Sequence, residues 1–187
     1  MSDWPISVVE PLVTINPWSL ESIGAHLVSG CDFFATSWGI NVVGSQAYPT
    51  ANLALFIPFS VTKPIVAVKL FAYNGGTVSG NIDVGIYDAN GVRLISSDST
   101  AQAGTSATTA LQSFDITDTQ FGPGLFYLAV AMDNTTGCLC AVVPDISPAF
   151  TGMAQMATAF PLPAVATFAS CATLYIPLIG LTTRTLV

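Results

Sequence analysis

The stretch Gly80-Asn-Ile-Asp-Val-Gly-Ile-Tyr-Asp-Ala-Asn-Gly-Val-Arg-Leu-Ile-Ser96 constrains the fold more than any other. Ile82, Val84 and Ile86 alternate with Asp83, Gly85 and Tyr87, the period of two that a strand with one buried face requires. Asp88-Ala-Asn-Gly91 predicts a tight turn. Asp at its first position accepts a backbone hydrogen bond, and Gly at its last takes positive φ without a Cβ clash. Val92 to Ile95 then return as the second strand of a hairpin. Farther on, Gly122-Pro-Gly124 launches the apolar strand Leu125-Phe-Tyr-Leu-Ala-Val-Ala-Met132.

The rest of the chain after Ala51 follows the same short-strand pattern. Leu53 to Phe59 predicts a strand whose Pro58 points to an edge or a bulge. In Pro64 to Tyr73 the pattern alternates, and Val66, Val68, Leu70 and Ala72 are assigned to the inner face. Ser99 to Thr109 predicts a loop of small polar residues. Leu111 to Ile116 and Cys138 to Val143 supply further strands, with Asp133-Asn-Thr-Thr-Gly137 as a hairpin link between Leu125–Met132 and Cys138–Val143. Pro144 to Pro163 has no regular period, and Phe168 to Ile179 closes the sheet, interrupted by Pro177. The expected fold class is all-β, a jelly-roll-like β-sandwich of about eight antiparallel strands with an extended N-terminal arm. The domain at 51–187 is the sandwich and 1–50 is the arm. Pro5, Pro11, Pro17 and Pro49 break any long period in the arm, and Ser19 to Leu27 predicts two helical turns capped by Ser19. The arm is too apolar to be a solvated tail, so Trp4, Trp18, Phe33, Phe34 and Trp38 are expected to dock on the sandwich or on a neighbouring subunit.

Charge is scarce. Only 8% of the 187 residues are charged, against about 25% in ordinary soluble domains. Four Lys and Arg, scattered at Lys63, Lys69, Arg93 and Arg184, form no basic patch, and the net charge of −7 repels phosphate, so nucleic acid is excluded as a partner. A subunit packed among neighbours loses surface charge, since charge is depleted at interface cores. The uncharged run from Ile146 to Thr183 is not a membrane span: Pro148, Pro161, Pro163 and Pro177 interrupt it, and a spanning helix needs about 20 predominantly apolar residues in succession. Met1-Ser-Asp-Trp-Pro5 lacks a basic start and an apolar stretch, which predicts synthesis in a cytoplasm. Cys31, Cys138, Cys140 and Cys171 are then expected as thiols near the core, with a Cys171 disulfide open only under oxidising conditions.

The run Asn81 to Ser97 followed by Gly122-Pro-Gly-Leu-Phe-Tyr-Leu-Ala-Val-Ala resembles the jelly-roll domains of tailed-bacteriophage virion proteins, and more distantly carbohydrate-binding and pre-peptidase C-terminal domains. The resemblance spans Ala51 to Ala141 and carries no catalytic signature. It implies a non-enzymatic capsid-decoration or tail-associated subunit, made in the host cytoplasm and located in the virion. Its partners would be the major capsid or tail protein and further copies of itself in a ring or trimer. The alternative is a carbohydrate-binding module.

Each chemical motif has a plainer reading. His26, the sole histidine, has neither a Gly-x-Ser-x-Gly elbow nor another positioned partner for a triad. Cys138-Leu-Cys140 is too closely spaced for a zinc pair. Asp83, Asp88, Asn90, Asp115, Asp118 and Asp133 hold oxygen ligands suited to calcium but lack a calcium-loop pattern, and turn chemistry accounts for several of them. The two glutamates, Glu10 and Glu21, both lie in the arm and form no acid-base pair for glycoside hydrolysis. Trp4, Trp18, Trp38, Tyr73 and Tyr87 are the aromatic residues expected at the surface, where they would stack on sugars or anchor subunit contacts. Asn134-Thr-Thr136 matches a glycosylation sequon that matters only after secretion. No catalytic, cofactor or metal residues are assigned.

Overall fold

The structure, a computed structural model, describes residues 26–28, 43–104, 110–143 and 148–185. In chain order the strands are β1 (His26–Val28), β2 (Val43–Ala47), β3 (Ala54–Val61), β4 (Ile65–Asn74), β5 (Asn81–Asp88), β6 (Arg93–Ser96) and β7 (Thr100–Ala101). They continue with β8 (Ala110–Phe121), β9 (Gly124–Met132), β10 (Cys138–Val142), β11 (Ala154–Met156), β12 (Ala169–Ser170), β13 (Ile176–Pro177) and β14 (Ile179–Thr185), with one 3-10 turn at Pro148–Thr151. They form two antiparallel sheets packed as an all-β sandwich. The hairpin sheet runs β12-β11-β3-β9-β5-β6, with β7 also on β5; the opposing sheet holds β1, β14, β4, β8, β10, β13 and β2. Among the described residues no helix is long and apolar enough to cross a membrane.

The chain crosses between the sheets repeatedly, and at the bend after β3 the pairing follows it. β3 pairs β9 from Ala54↔Ala131 to Val61↔Gly124, and β4 takes up the same partner chain at Ile65↔Phe121. A two-stranded ribbon thus bends from one sheet into the other. Gly122-Pro123-Gly124 forms one side of that bend. Gly122 has φ +95°, and a Cβ on it would lie 2.9 Å from Val61 Cγ1 and 3.1 Å from the Lys63 carbonyl oxygen. Residues 133–137 make another crossing, from β9 in the hairpin sheet to β10 in the opposing sheet. The expected hairpin between these two strands is therefore incorrect. Asp133 instead binds Asn81 across the bend, accepting its N–H at 2.9 Å and its side-chain amide at 2.8 Å.

The core between the sheets is filled by Leu55, Ile57, Phe59, Ile82, Val84, Ile86, Leu128, Val130 and Met132 from the hairpin sheet. Ile65, Ala67, Leu70, Ala72, Leu139, Ile179 and Leu181 come from the opposing sheet. Each fully buried Leu or Ile contributes about 1.5–3 kcal/mol. The inner-face assignment for β4 holds at Leu70 and Ala72 and fails before them. Ile65 and Ala67 face the core, because the register slips between Ala67 and Lys69 and moves the alternation by one residue.

Several other expectations are corrected. Tyr48 is buried in the core, its hydroxyl 2.8 Å from the carbonyl oxygens of both Leu53 and Val130, so the sandwich already includes residues before Ala51. The predicted helical turns end in strand, since His26–Val28 pairs with Gly180–Thr182; residues 19–25 lie outside the described residues. Thr100–Ala101 pairs with Asn81–Ile82 within the expected loop. The closing strand is mainly Ile179–Thr185, beyond the predicted Phe168–Ile179. Pro58 does sit at an edge: β11 pairs β3 only along Ala54–Phe56, leaving Pro58 paired on one side, with Tyr127.

Replacing Gly122 by Ala forces a side chain into a positive-φ corner against Val61. The variant should lose about 1–3 kcal/mol in denaturant unfolding.

Candidate functional site

Strand β5 of the hairpin is buried on both faces, where the alternation predicts one. Ile82, Val84 and Ile86 enter the core, while Asp83 and Tyr87 on the other face are each 0% exposed. The cover is the segment 157–168, here called the strap, which lies over the outer face of the hairpin sheet. Three rows of that sheet face it, Ala54-Ala131-Asp83, Phe56-Ala129-Gly85 and Pro58-Tyr127-Tyr87. The first two rows are mostly small residues, so the strap approaches the sheet closely. Ala159, Leu162 and Ala166 pack into this second apolar cluster, and Phe168 stacks 5.0 Å from Phe56 and 4.5 Å from Tyr127.

The local sequence explains why side chains hold the strap. Pro161 and Pro163 have no N–H, so the strap cannot continue a β-ladder through them. Between the two prolines only Leu162 has a donor, and it donates to Asp83 Oδ2 at 3.0 Å. The Leu162 carbonyl accepts from the Arg93 guanidinium, and the Pro163 carbonyl accepts from the Tyr87 hydroxyl at 2.5 Å. Gly85, between Asp83 and Tyr87 on the same face, leaves room for Leu162: a Cβ there would lie 2.9 Å from Leu162 Cδ1. Backbone bonds add to the attachment, Arg93 N–H to the Ala164 carbonyl at 2.9 Å, Ala166 N–H to the Gly91 carbonyl at 2.7 Å and Ala159 N–H to the Asn52 carbonyl at 2.7 Å. Asp83, Gly85, Tyr87 and Arg93 thus form a groove shaped to an apolar residue between two prolines.

Burial sets the electrostatics of this groove. Desolvation raises the Asp83 carboxyl above the ordinary aspartate value, against the Leu162 N–H, the Arg93 charge and the Ser97 hydroxyl, which lower it. The Tyr87 hydroxyl is likewise pushed up by burial. The opposite case is Asp133, where desolvation is outweighed by hydrogen bonds from Asn134 and Asn81 that hold the carboxyl below its ordinary value.

The remaining sequence candidates are dispersed. Asp88 closes its own turn, accepting from Asn90 N–H at 2.9 Å and Val92 N–H at 2.8 Å. Asp115 pairs with Lys69 on the outer surface of the opposing sheet, and Asp118 lies farther along β8. Among the described residues no group of three or more His, Cys, Asp and Glu side chains is placed to hold a metal. Cys140 is buried with its sulfur 3.3 Å from the Asn74 carbonyl oxygen; Cys171 is a buried free thiol in the central core and Cys138 a half-buried one. Tyr87, expected on the surface, is packed edge-on against Phe56 at 5.2 Å, and Tyr73 is half-buried against Phe71. Asn134 is engaged at both ends of its amide, donating to the Ser79 carbonyl at 2.8 Å and accepting from Gly137 N–H at 2.7 Å. His26 lies in β1. Glu10, Glu21, Cys31 and the five expected contact residues Trp4, Trp18, Phe33, Phe34 and Trp38 lie outside the described residues. The groove itself was missed in the sequence, and its signal was Pro161-Leu-Pro163, a segment unable to pair by backbone alone.

No known protein family, characterised protein or solved structure matches the chain.

Two substitutions separate the parts of the groove. Because the folded-state pKa of Asp83 is raised, its proton stabilises the fold: the contribution is full below the unfolded pKa and is lost as pH rises through the folded one. Asp83→Asn keeps an acceptor for Leu162 and should gain stability over wild type as pH rises from the ordinary aspartate value to neutrality, with the two converging in acid. Thermal melts across that pH range measure this, and a wild-type advantage at neutral pH contradicts it. Gly85→Ala should destabilise by about 1–3 kcal/mol through overpacking against Leu162, read as a lower denaturant midpoint.

Proposed function

We propose that this chain is a non-enzymatic structural subunit that acts through contacts with other subunits, as part of a bacteriophage virion on the capsid or tail. The observation that carries the reading is the character of the surface. Charged residues make up 8% of the chain, and aliphatic side chains stand in solvent at Leu174 (73% exposed), Val165 (61%) and Leu111 (57%). Such a surface fits burial among neighbours, where apolar area contributes about 25 cal/mol per Å² removed from water. The polar groups of the interior support the same view, because they are spent on the fold. Gln102 donates to Asn74 and to the Cys138 carbonyl, Gln112 joins Asn74 and Ala103, and Asp83 and Arg93 hold the strap. Binding that exists only in the assembled state shifts the equilibrium towards assembly.

The sugar-binding alternative calls for an exposed aromatic platform. None of the described aromatic side chains is exposed, and Tyr87 is enclosed beneath the strap.

The test is assembly. Purified protein should sediment as an oligomer and co-sediment with phage particles, and deletion of residues 1–25, which leaves β1 and β2 whole, should abolish the particle association by removing Trp4 and Trp18. A monomer whose particle association is unchanged by that deletion would overturn the reading.

A further inference from the structure

We propose that the strap opens as a unit, independently of global unfolding, and that Asp83, Tyr87 and Arg93 are the latch that holds it shut. The inference does not depend on the structural-subunit reading, since it concerns how the chain covers its own sheet.

Three features of the strap argue for separate opening. Its backbone attachment is sparse: Val92↔Val165 is an isolated bridge rather than a ladder, Ala159 N–H to the Asn52 carbonyl is a single bond at the other end, and the prolines leave Leu162 as the only donor between them. Its burial is intermittent, with Ala159, Leu162 and Ala166 buried while Ala157, Thr158, Pro161, Ala164, Val165 and Thr167 are exposed. The sheet beneath is complete without it. β9 is paired along β3 on one side and along β5 on the other, and the central core on the far face contains no strap residue. Segments with few buried contacts and exposed backbone bonds open at lower free energy than core strands.

The latch gathers the side-chain bonds at the middle of the strap, between the Ala159–Asn52 bond at one end and the Phe168 ring contacts at the other. A buried anion accepts the single available N–H, a cation donates to the carbonyl of the same residue, and a buried phenol donates to the next carbonyl. Charge-assisted bonds of this kind exceed neutral ones in strength. All three side chains come from β5 and β6, so breaking them together frees Leu162 and Pro163 without disturbing the central core. Opening uncovers the trench of Ala54, Phe56, Gly85, Ala129 and Ala131, an apolar face that the closed strap hides.

Amide hydrogen exchange on the full chain, followed residue by residue by NMR, tests this. Leu162, Ala166 and Arg93 amides, each bonded across the strap boundary, should exchange through one shared opening with equal protection, well below that of Leu128 and Val130 in β9. Arg93→Met should lower the protection of all three by at least about tenfold, as loss of one charge-assisted bond implies, and leave Leu128 and Val130 unchanged. Tyr87→Phe, which removes only the bond to Pro163, should act on the same three amides in the same direction and serves if Arg93→Met does not fold. Protection of the strap amides equal to that of β9, or a fall that spreads equally to β9 in both variants, would overturn the proposal. So would strap amides that neither variant changes.

Discussion

A peptide group set between two prolines has no neighbouring N–H with which to join a sheet, and must be met by side chains or left to water. Leu162 is in that position, and the organisation of the outer face follows from how its needs are met. Its N–H goes to Asp83, its carbonyl to Arg93, and the following carbonyl to Tyr87. Those demands place a buried carboxylate, a glycine and a phenol at successive outward positions of β5. They also turn a sheet face that would otherwise meet water into a second apolar layer.

The resulting molecule is a sandwich with a third, irregular layer on one side. The central layer is held by strand pairing that passes through a corner, at Val61↔Gly124 and Ile65↔Phe121, so one two-stranded ribbon runs through both sheets. The strap is held differently, by side-chain bonds at its centre and a few scattered backbone bonds instead of a ladder. An ionised Asp83 carries a desolvation cost that Arg93 and the Leu162 N–H only partly offset, since its pKa remains raised. The latch is therefore a specific but weakly stabilising device, suited to fixing where the strap lies more than to adding stability.

How much of this was legible in the sequence depends on the range of the forces involved. Alternation at Ile82, Val84 and Ile86 and the turn at Asp88–Gly91 were legible because both are local, and the turn has the expected Asp88 bonds and a positive φ at Gly91. The sandwich class followed from repetition of such signals. What the residues concealed was set by distant partners. Asp83 and Tyr87 looked like solvent-facing positions until a segment 76 to 79 residues away covered them. The slip after Ala67 inverted half of the β4 assignment, because an extra residue in a ladder leaves no mark in an apolar run. The link 133–137 had the composition of a hairpin turn, yet Asp133 and Asn134 use their side chains to brace a crossing between sheets. Of the calcium candidates, the sequence showed ligand types without their directions.

The placement of the strap depends most directly on the contact between Asp83 and the Leu162 amide. An NMR pH titration of that amide measures it. An N–H bonded to a carboxylate moves downfield as the acid ionises, so the Leu162 proton should shift with a midpoint above the ordinary aspartate value, and the shift should vanish in Asp83→Asn. A Leu162 amide that is indifferent to pH, or that titrates identically in the variant, would contradict it.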